Sequence, residues 1–269
     1  MESDILRKIQ LAQLEMLKDF SAFCDRKHLT CFICYGTLLG AIRHDGFIPW
    51  DDDIDIGMPR KDYDRFIHMA KQEFDNEKYY CLSWEHYPDF GLPYAKIKKK
   101  GTLFVEEKRG RSKYNELFID IFPFDNYPGT LRALILQGIP LAIMGLLIRL
   151  KTGIKPYNGK HNRYKYIIFE IISLFFKTEW LQKRYDVLAR RYNRDQHVFL
   201  IPRVEDAKPL KWVIKRNAVL PTCEVNFENE LFKAPGNPAD FLIASYEDYM
   251  KLPPESERKN RHRIVECRL

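Results

Sequence analysis

Asp51, Asp52, Asp53 and Asp55 fall within five positions of the run IPWDDDIDIG, close behind a small-residue turn that reads Tyr35, Gly36, Thr37, Leu38, Leu39, Gly40. Side chains alternate across a strand, so an extended segment over residues 53–56 puts Asp53 and Asp55 on one face while Ile54 and Ile56 enter a core. Two neighbouring carboxylates repel each other, and a divalent cation that neutralises both removes that cost; hard oxygen donors of this kind suit Mg²⁺ or Mn²⁺. An isolated acid-x-acid pair is more simply a solvated turn. Here Ile54, Ile56 and Met58 supply a buried face that a solvated loop has no use for, and the glycine turn adds a surface that phosphate oxygens can approach. The pattern reads as a metal-dependent phosphate site.

Such a site needs elements to hold it. Residues 4–25 carry Ile5, Ile9, Leu14, Leu17 and Phe20 at helical spacing with Ser3 available as a cap, which predicts a helix. A strand follows at 31–35, then a turn and helix start over 36–44, the acidic strand after Pro49, and a helix over 59–74 with Asp62, Tyr63 and Phe66 near its start. Residues 79–84, 94–98, 102–106 and 117–122 read as short strands. The order predicts an α/β (α+β) fold, a mixed sheet flanked by helices with the chemistry in its first half.

The middle of the chain has another character. Residues 133–148 are almost wholly apolar between Arg132 and Arg149, and a second apolar stretch covers 166–176. Sixteen helical residues reach only ~24 Å, short of a ~30 Å hydrocarbon core, and Gln137, Gly138 and Pro140 interrupt them, so no transmembrane span is expected. Two readings stand side by side. The stretches are a pair of buried helices, or an interfacial hairpin whose Arg132, Arg149, Lys151, Lys155, Arg163 and Lys165 meet anionic headgroups.

At 269 residues, 45% hydrophobic and 30% charged, the chain has ample material for a core, and its composition is not that of a disordered protein. The formal charge of +7 concentrates in clusters: Lys96, Lys98, Lys99 and Lys100; Lys108, Arg109, Arg111 and Lys113; Arg258, Lys259, Arg261, Arg263 and Arg268. Clusters of this kind suit phosphate-bearing substrates, an anionic membrane surface or nucleic acid. Cys24, Cys31, Cys34, Cys81, Cys223 and Cys267 occur behind a charged amphipathic N-terminus rather than a secretory signal, and a reducing cytoplasmic setting is expected. Cys31 and Cys34 form a CxxC, but on a strand their spacing sends the thiols to opposite faces. With no second pair, zinc or redox chemistry is not expected.

Residues 35–66, YGTLLGAIRHDGFIPWDDDIDIGMPRKDYDRF, closely resemble the signature of the LicD family of phosphotransferases over roughly thirty contiguous positions. These enzymes share the nucleotidyltransferase fold and include phosphocholine transferases of bacterial surface polysaccharides. Residues 244–254, ASYEDYMKLPP, are similar to the family's YGxYMxLPP segment, with Glu247 where a glycine is common.

The resemblance implies a Gly-Thr turn, here Gly36 and Thr37, whose backbone and helix start meet phosphate oxygens. It also implies an acid-x-acid strand, here Asp53 and Asp55, and a third acid on a later strand. Asp120, between Ile119 and Ile121 in FIDIF, fits that place as a metal ligand or as the base for an acceptor hydroxyl. Asp125 is the reserve, with Pro123 marking a strand end before it. Tyr94, Lys96 and Lys98 would share a strand face, and Lys96, within PYAKI, is the first choice to neutralise donor phosphates, Lys98 to Lys100 being taken as solvated. Arg43 and His44 are further phosphate contacts. A quaternary ammonium would call for aromatic faces, each worth ~0.5–2 kcal/mol. Trp50 adjoins the acids, and Trp84, Tyr87, Phe90 and Tyr94 lie close together in sequence.

The expectation is therefore a nucleotidyltransferase-like catalytic core over 1–128, a helical region over 129–200 that is either buried or membrane-facing, and a segment over 201–269 that packs back on the core. The implied reaction is Mg²⁺- or Mn²⁺-dependent transfer of phosphocholine from CDP-choline to a sugar hydroxyl of a lipid-linked glycan, a teichoic acid or lipopolysaccharide precursor. Nucleic acid is not expected as a partner, and the enzyme is expected in the cytoplasm, peripheral on the inner face of the cell membrane. The rivals are transfer of another nucleotide-activated group, polyol phosphate or nucleotidyl, and a non-catalytic glycan-binding module. The intact set of acids speaks against the module.

Overall fold

The N-terminal amphipathic segment folds as α1 (Glu2–Arg26), burying Ile9, Met16, Leu17 and Phe20 while Ile5 stays exposed. The computed structural model describes residues 2–107, 113–154, 164–203, 213–246, 248–260 and 264–269. Of the residues weighed above, Lys108, Arg109, Arg111, Lys155, Arg163, Glu247, Arg261, Arg263 and the side chain of Ser3 lie outside the described residues. Phe20 and Phe23 of α1 meet Phe66 and Phe74 edge-on, with the closest centroids 5.1 Å apart. Each fully buried ring of this kind contributes about 1.5–3 kcal/mol, which fixes α1 across the sheet.

The sheet is mixed and flanked by helices, an α/β architecture. In chain order come β1 (Phe32–Ile33), α2 (Tyr35–His44), β2 (Asp55–Pro59), α3 (Arg60–Met69) with a π-helical turn over Ala70–Phe74, β3 (Tyr79–Leu82), β4 (Ala95–Lys99), β5 (Leu103–Glu106) and β6 (Phe118–Tyr127). The strands align as β1-β2-β6-β4-β3, and β2 and β6 are the parallel pair. Each predicted strand is present but displaced by a residue or more. The acidic strand starts at Asp55 instead of Asp53, and Tyr35 opens a helix rather than closing a strand.

Pro123 does not end its strand. Residues 118–121 of β6 pair with β4, and 124–127 pair with β7 (Phe199–Pro202) on the same edge. The proline nitrogen faces the gap where one neighbour leaves and the other arrives, so the absent N–H costs no ladder bond. Beyond β7, β8 (Ile214–Lys215) extends the sheet and α8 (Arg216–Val219) follows. β9 (Cys223–Phe227) and β10 (Glu230–Ala234) form a hairpin, α9 (Pro238–Tyr246) packs on α2, and β11 (Ile264–Arg268) pairs with β5.

The apolar middle is longer than its sequence suggests. α4 (Leu131–Ala133), a π-helical turn over Leu134–Gly138 and α5 (Ile139–Lys151) run on as one 21-residue helix. Pro140 falls inside this continuous helix, directly behind the π-helical turn, the kind of local widening that accompanies a break in the regular hydrogen-bond ladder. Gln137 is buried and donates to the carbonyls of Leu188 and Ala189, closing the end of α7 (Thr178–Ala189). At ~31 Å this helix is long and apolar enough to cross a membrane, yet a third of its most apolar window is buried within the chain. Leu141, Leu147 and Ile148 pack on Trp84, Leu181 and Tyr185. Leu131, Ile135, Ile139 and Ile143 form an exposed stripe, continued on α6 (Ile167–Leu174) by Ile168, Ile171 and Leu174. Arg149 is buried, so of the basic residues assigned to headgroups it faces inward, while Arg132 and Lys165 are exposed.

Candidate active site

The acids are placed by peptide-group contacts from four elements. Cys34 is extended and Tyr35 takes φ 45°, a left-handed conformation rare for a bulky residue, which turns the chain abruptly from β1 into α2. That turn lays the first residues of α2 against β2. The Cys34 N–H donates to the Asp55 carbonyl at 3.0 Å, and the Asp55 N–H donates to Thr37 Oγ1 at 2.8 Å. Thr37 is buried, so its hydroxyl anchors the acidic strand. A Cβ added to Gly36 would stand 2.8 Å from Asp51 Oδ2 and 3.8 Å from Asp55 Oδ2, so both carboxylates crowd the helix start, where the positive end of the helix dipole favours them.

Residues 51–54 precede the strand, and α1 holds them. Gln10 Nε2 donates to the Asp51 carbonyl at 2.9 Å and Gln13 Nε2 to the Asp52 carbonyl at 2.8 Å. Buried peptide groups outside a ladder need such partners. One carboxylate oxygen each of Asp51, Asp52 and Asp53 lies within 4.8 Å of the others. Asp52 is 0% exposed, Asp51 is buried, and Asp53 and Asp55 are half-buried.

Asp120 enters from β6. It is the register partner of Asp55 on one side and of Lys96 on the other, so the three residues line up across β2, β6 and β4. Lys96, only 2% exposed, places Nζ 2.5 Å from Asp120 Oδ1 and 3.4 Å from the Phe118 ring centroid. Gly36, Asp51 and Asp55 thus meet at the start of α2, Asp120 and Lys96 extend the line from Asp55 across the sheet, and Asp53 groups with Asp51 and Asp52. Burial first, then the charges of Asp55 and Asp120, push the Cys34 thiol well above its usual range. A donor set of carboxylate oxygens without available thiolate or imidazole fits Mg²⁺ or Mn²⁺.

Other assignments come out differently. Asp125 is fully buried and faces away from Asp120, held by Arg60 (Nε to Oδ1, 2.7 Å), Arg203 (Nε to Oδ2, 2.6 Å) and Asn193. Burial alone would raise its carboxyl, yet the two guanidinium groups hold it at about 2. It is a structural hub joining α3, β6 and β7. Lys98 is not solvated: buried, it donates to the carbonyls of Tyr114 and Glu116. The aromatic group does not form a cage. Trp84 packs on Tyr185, Tyr87 on Tyr80 and Tyr114, and buried Tyr94 lies 4.6 Å from Phe122, so the loop between β3 and β4 sends them to different places.

Trp50 and Arg43 line an open cleft of about 590 Å³ beside Asp51, and His44 stands edge-on to Trp50. Gly36 and Asp51 form one wall, and Tyr246, Tyr249, Pro253 and Pro254 the other. Arg43 Nη1 donates to the Tyr249 carbonyl at 2.9 Å and Nε to His44 Nε2 at 3.0 Å. Burial, then the neighbouring Arg43 charge, lowers the His44 pKa and keeps the ring neutral, as its acceptor role requires. Sequence reasoning gave Gln10 and Gln13 no role, and it marked residues 244–254 by resemblance and Arg258 and Lys259 by charge without placing them beside the acids; the two glutamines were visible as polar residues on the inward face of an amphipathic helix.

Residues 28–136 match the model of the family described as LicD/FKTN/FKRP, nucleotidyltransferase domain. The lipopolysaccharide cholinephosphotransferase LicD of Haemophilus influenzae is 31% identical over 259 residues, 96% of this chain and 96% of that protein. The chain belongs to the LicD family. As a LicD-family phosphotransferase it is an enzyme, and the acids lie within the matched domain. Uncharacterized proteins of two rickettsiae are also similar: one of Rickettsia prowazekii is 42% identical over 130 residues (45% of this chain, 47% of that protein), and one of Rickettsia typhi 38% over 68 residues (25% and 22%).

Proposed function

We propose that this enzyme transfers phosphocholine from CDP-choline to a sugar hydroxyl of a lipid-linked glycan, a precursor of lipopolysaccharide or teichoic acid. The observation that carries the reading is the alignment of Asp55, Asp120 and Lys96 across three strands beside Gly36, in a chain similar along its length to a cholinephosphotransferase. Asp53, Asp55 and Asp120 would hold Mg²⁺ or Mn²⁺, with Asp51 at the same mouth. When bound, the ion supplies positive charge to the donor's phosphate oxygens.

The acceptor oxygen attacks the phosphorus that bears choline, the bond from that phosphorus to the CMP oxygen breaks, and CMP leaves. Asp120, as the alternative to its ligand role, takes the hydroxyl proton, and Lys96 orients that carboxylate, while Gly36 admits phosphate oxygens to the helix start. Positioning and electrostatics supply most of the rate.

A lipid-linked acceptor gives the exposed stripe of α4–α6 a partner. An anionic bilayer surface suits it: apolar side chains would enter the interface, with Arg132, Lys165 and Lys177 exposed to meet headgroups, and on this reading the enzyme works at the inner leaflet. The purified protein should sediment with anionic vesicles and be released by salt; indifference to vesicles at low salt removes this partner. For the reaction, CDP-choline, Mg²⁺ and candidate glycolipids are incubated and CMP is followed. Release of CMP only with CDP-polyol donors would replace phosphocholine by polyol phosphate as the transferred group.

A further inference from the structure

We infer that the indole face of Trp50 is the receptor for the donor's cationic head group, and that Arg258 is a resident cation that occupies this face until the donor displaces it. The inference rests on the phosphocholine reading above and specifies which side chains select the head group.

Trp50 immediately precedes Asp51, whose carboxylate crowds Gly36, so a group on the indole adjoins whatever the acids hold. Its ring is half-buried and borders the cleft, unlike Tyr94 or Trp84, which are buried in packed cores. A cation already lies over it: the Arg258 guanidinium carbon is 5.7 Å from the ring centroid, and Arg258 Nε donates to the Pro253 carbonyl at 2.9 Å. An arene face offers phosphate nothing, but it attracts cations, including quaternary ammonium groups that have no N–H to donate.

The surroundings favour exchange over permanent pairing. Neutral His44 stands edge-on to the indole at 6.2 Å and adds no competing charge. Asp248 and Glu257 bring negative charge to the same cleft, against Arg43, Lys251 and Lys259. Arg258 is held through its contact with Pro253, on the segment that walls the cleft opposite Gly36. One indole face cannot carry two cations at once. Donor binding therefore releases Arg258 from the indole and shifts the Pro253–Arg258 contact, coupling head-group recognition to the position of that wall.

The test is steady-state CMP release by the full chain with CDP-choline. Trp50→Leu should raise KM about 10-fold with kcat nearly unchanged, while Trp50→Phe, which keeps an aromatic face, stays within about 3-fold of wild type. Arg258→Met should lower KM by about 3-fold or more, since the resident competitor is gone. An unchanged KM in Trp50→Leu overturns the receptor. A raised KM in Arg258→Met overturns the place-holder and makes Arg258 a donor contact. Should the wild-type chain release no CMP from CDP-choline, the parent reading fails, and calorimetric titration with phosphocholine judges the subsite alone: weaker binding by Trp50→Leu than by wild type supports it, and equal or absent binding in both overturns it.

Discussion

Replacing Lys96 by methionine keeps the volume of the side chain and removes an ammonium lying 2.5 Å from Asp120 Oδ1, where both partners are under a tenth exposed. The stranded carboxylate sits between β2 and β4 with little solvent to stabilise it. Breaking a buried pair in this way costs about 3–5 kcal/mol. The loss has a ceiling, because the carboxyl can take up a proton. From an ordinary value near 3.9, that costs roughly 4 kcal/mol at pH 7 and about 1.5 kcal/mol at pH 5, at ~1.4 kcal/mol per pH unit.

The variant's native state therefore binds more protons than its unfolded state across this range, and its stability falls as pH rises. For a chain of this size about 4 kcal/mol corresponds to a Tm lower by roughly 8–15 °C at pH 7, narrowing to about 3–6 °C at pH 5. Calorimetric Tm against pH reads this directly. Lys96→Met combined with Asp120→Asn removes the stranded charge and should recover much of the loss at pH 7. A single variant within roughly 2 °C of wild type at pH 7, or a deficit equal at pH 5 and 7, refutes the reasoning.

Gly36→Ala puts a methyl group where Asp51 Oδ2 now stands, 2.8 Å away, so that carboxylate must shift while the helix gains alanine's propensity, about 1 kcal/mol. CMP release should fall on the order of 10-fold or more with Tm maintained; retained activity would show that the close approach is unused. Asp55→Asn should lower metal-dependent turnover on the order of 100-fold or more without lowering the apo Tm, since it relieves repulsion among neighbouring acids; wild-type turnover would sink the metal assignment. Asp125→Asn strands Arg60 and Arg203 and should cost about 3–5 kcal/mol in denaturant titrations. Because Asp125 is held at about 2, wild type loses that share of its stability as pH falls from about 4 towards 2, and the variant should lack this segment of acid sensitivity.

The strand of β2 was legible because alternation is local: Ile54, Ile56 and Met58 are buried, and Asp55 between the isoleucines is half-buried. Asp120 stood out only as an acid flanked by Ile119 and Ile121, since all three are buried and alternation does not set it apart. What lay beyond reach was set by long-range pairing. Pro123 looks like a strand end until β4 and β7 are seen to share one edge of β6, and Asp125 looks like a spare ligand until Arg60 and Arg203 arrive from 65 and 78 residues away. Lys98 reads as solvated in a run of lysines, and only the carbonyls of Tyr114 and Glu116 make its burial affordable. The π-helical turn at Leu134–Gly138 likewise absorbed Gln137 and Gly138, which in sequence look like interruptions.

The contacts that fix the acids share a property with a chemical consequence. Gln10 and Gln13 bind the carbonyls of Asp51 and Asp52, Thr37 and Cys34 bind the peptide groups of Asp55, and the Asp120 N–H donates to the Ile54 carbonyl at 2.8 Å. Each attaches to the main chain, so the backbone that carries these aspartates is fixed independently of what their carboxylate oxygens meet, and Asp120 is held in addition through Oδ1 by Lys96. Like charges that would spread apart if held only by their side chains are kept together by amides, a hydroxyl and a sheet register. On the proposed assignment, a divalent cation would offset the repulsion among these acids, and the site's affinity for it would be a property of the scaffold, from α1 to β6, as much as of the aspartates themselves.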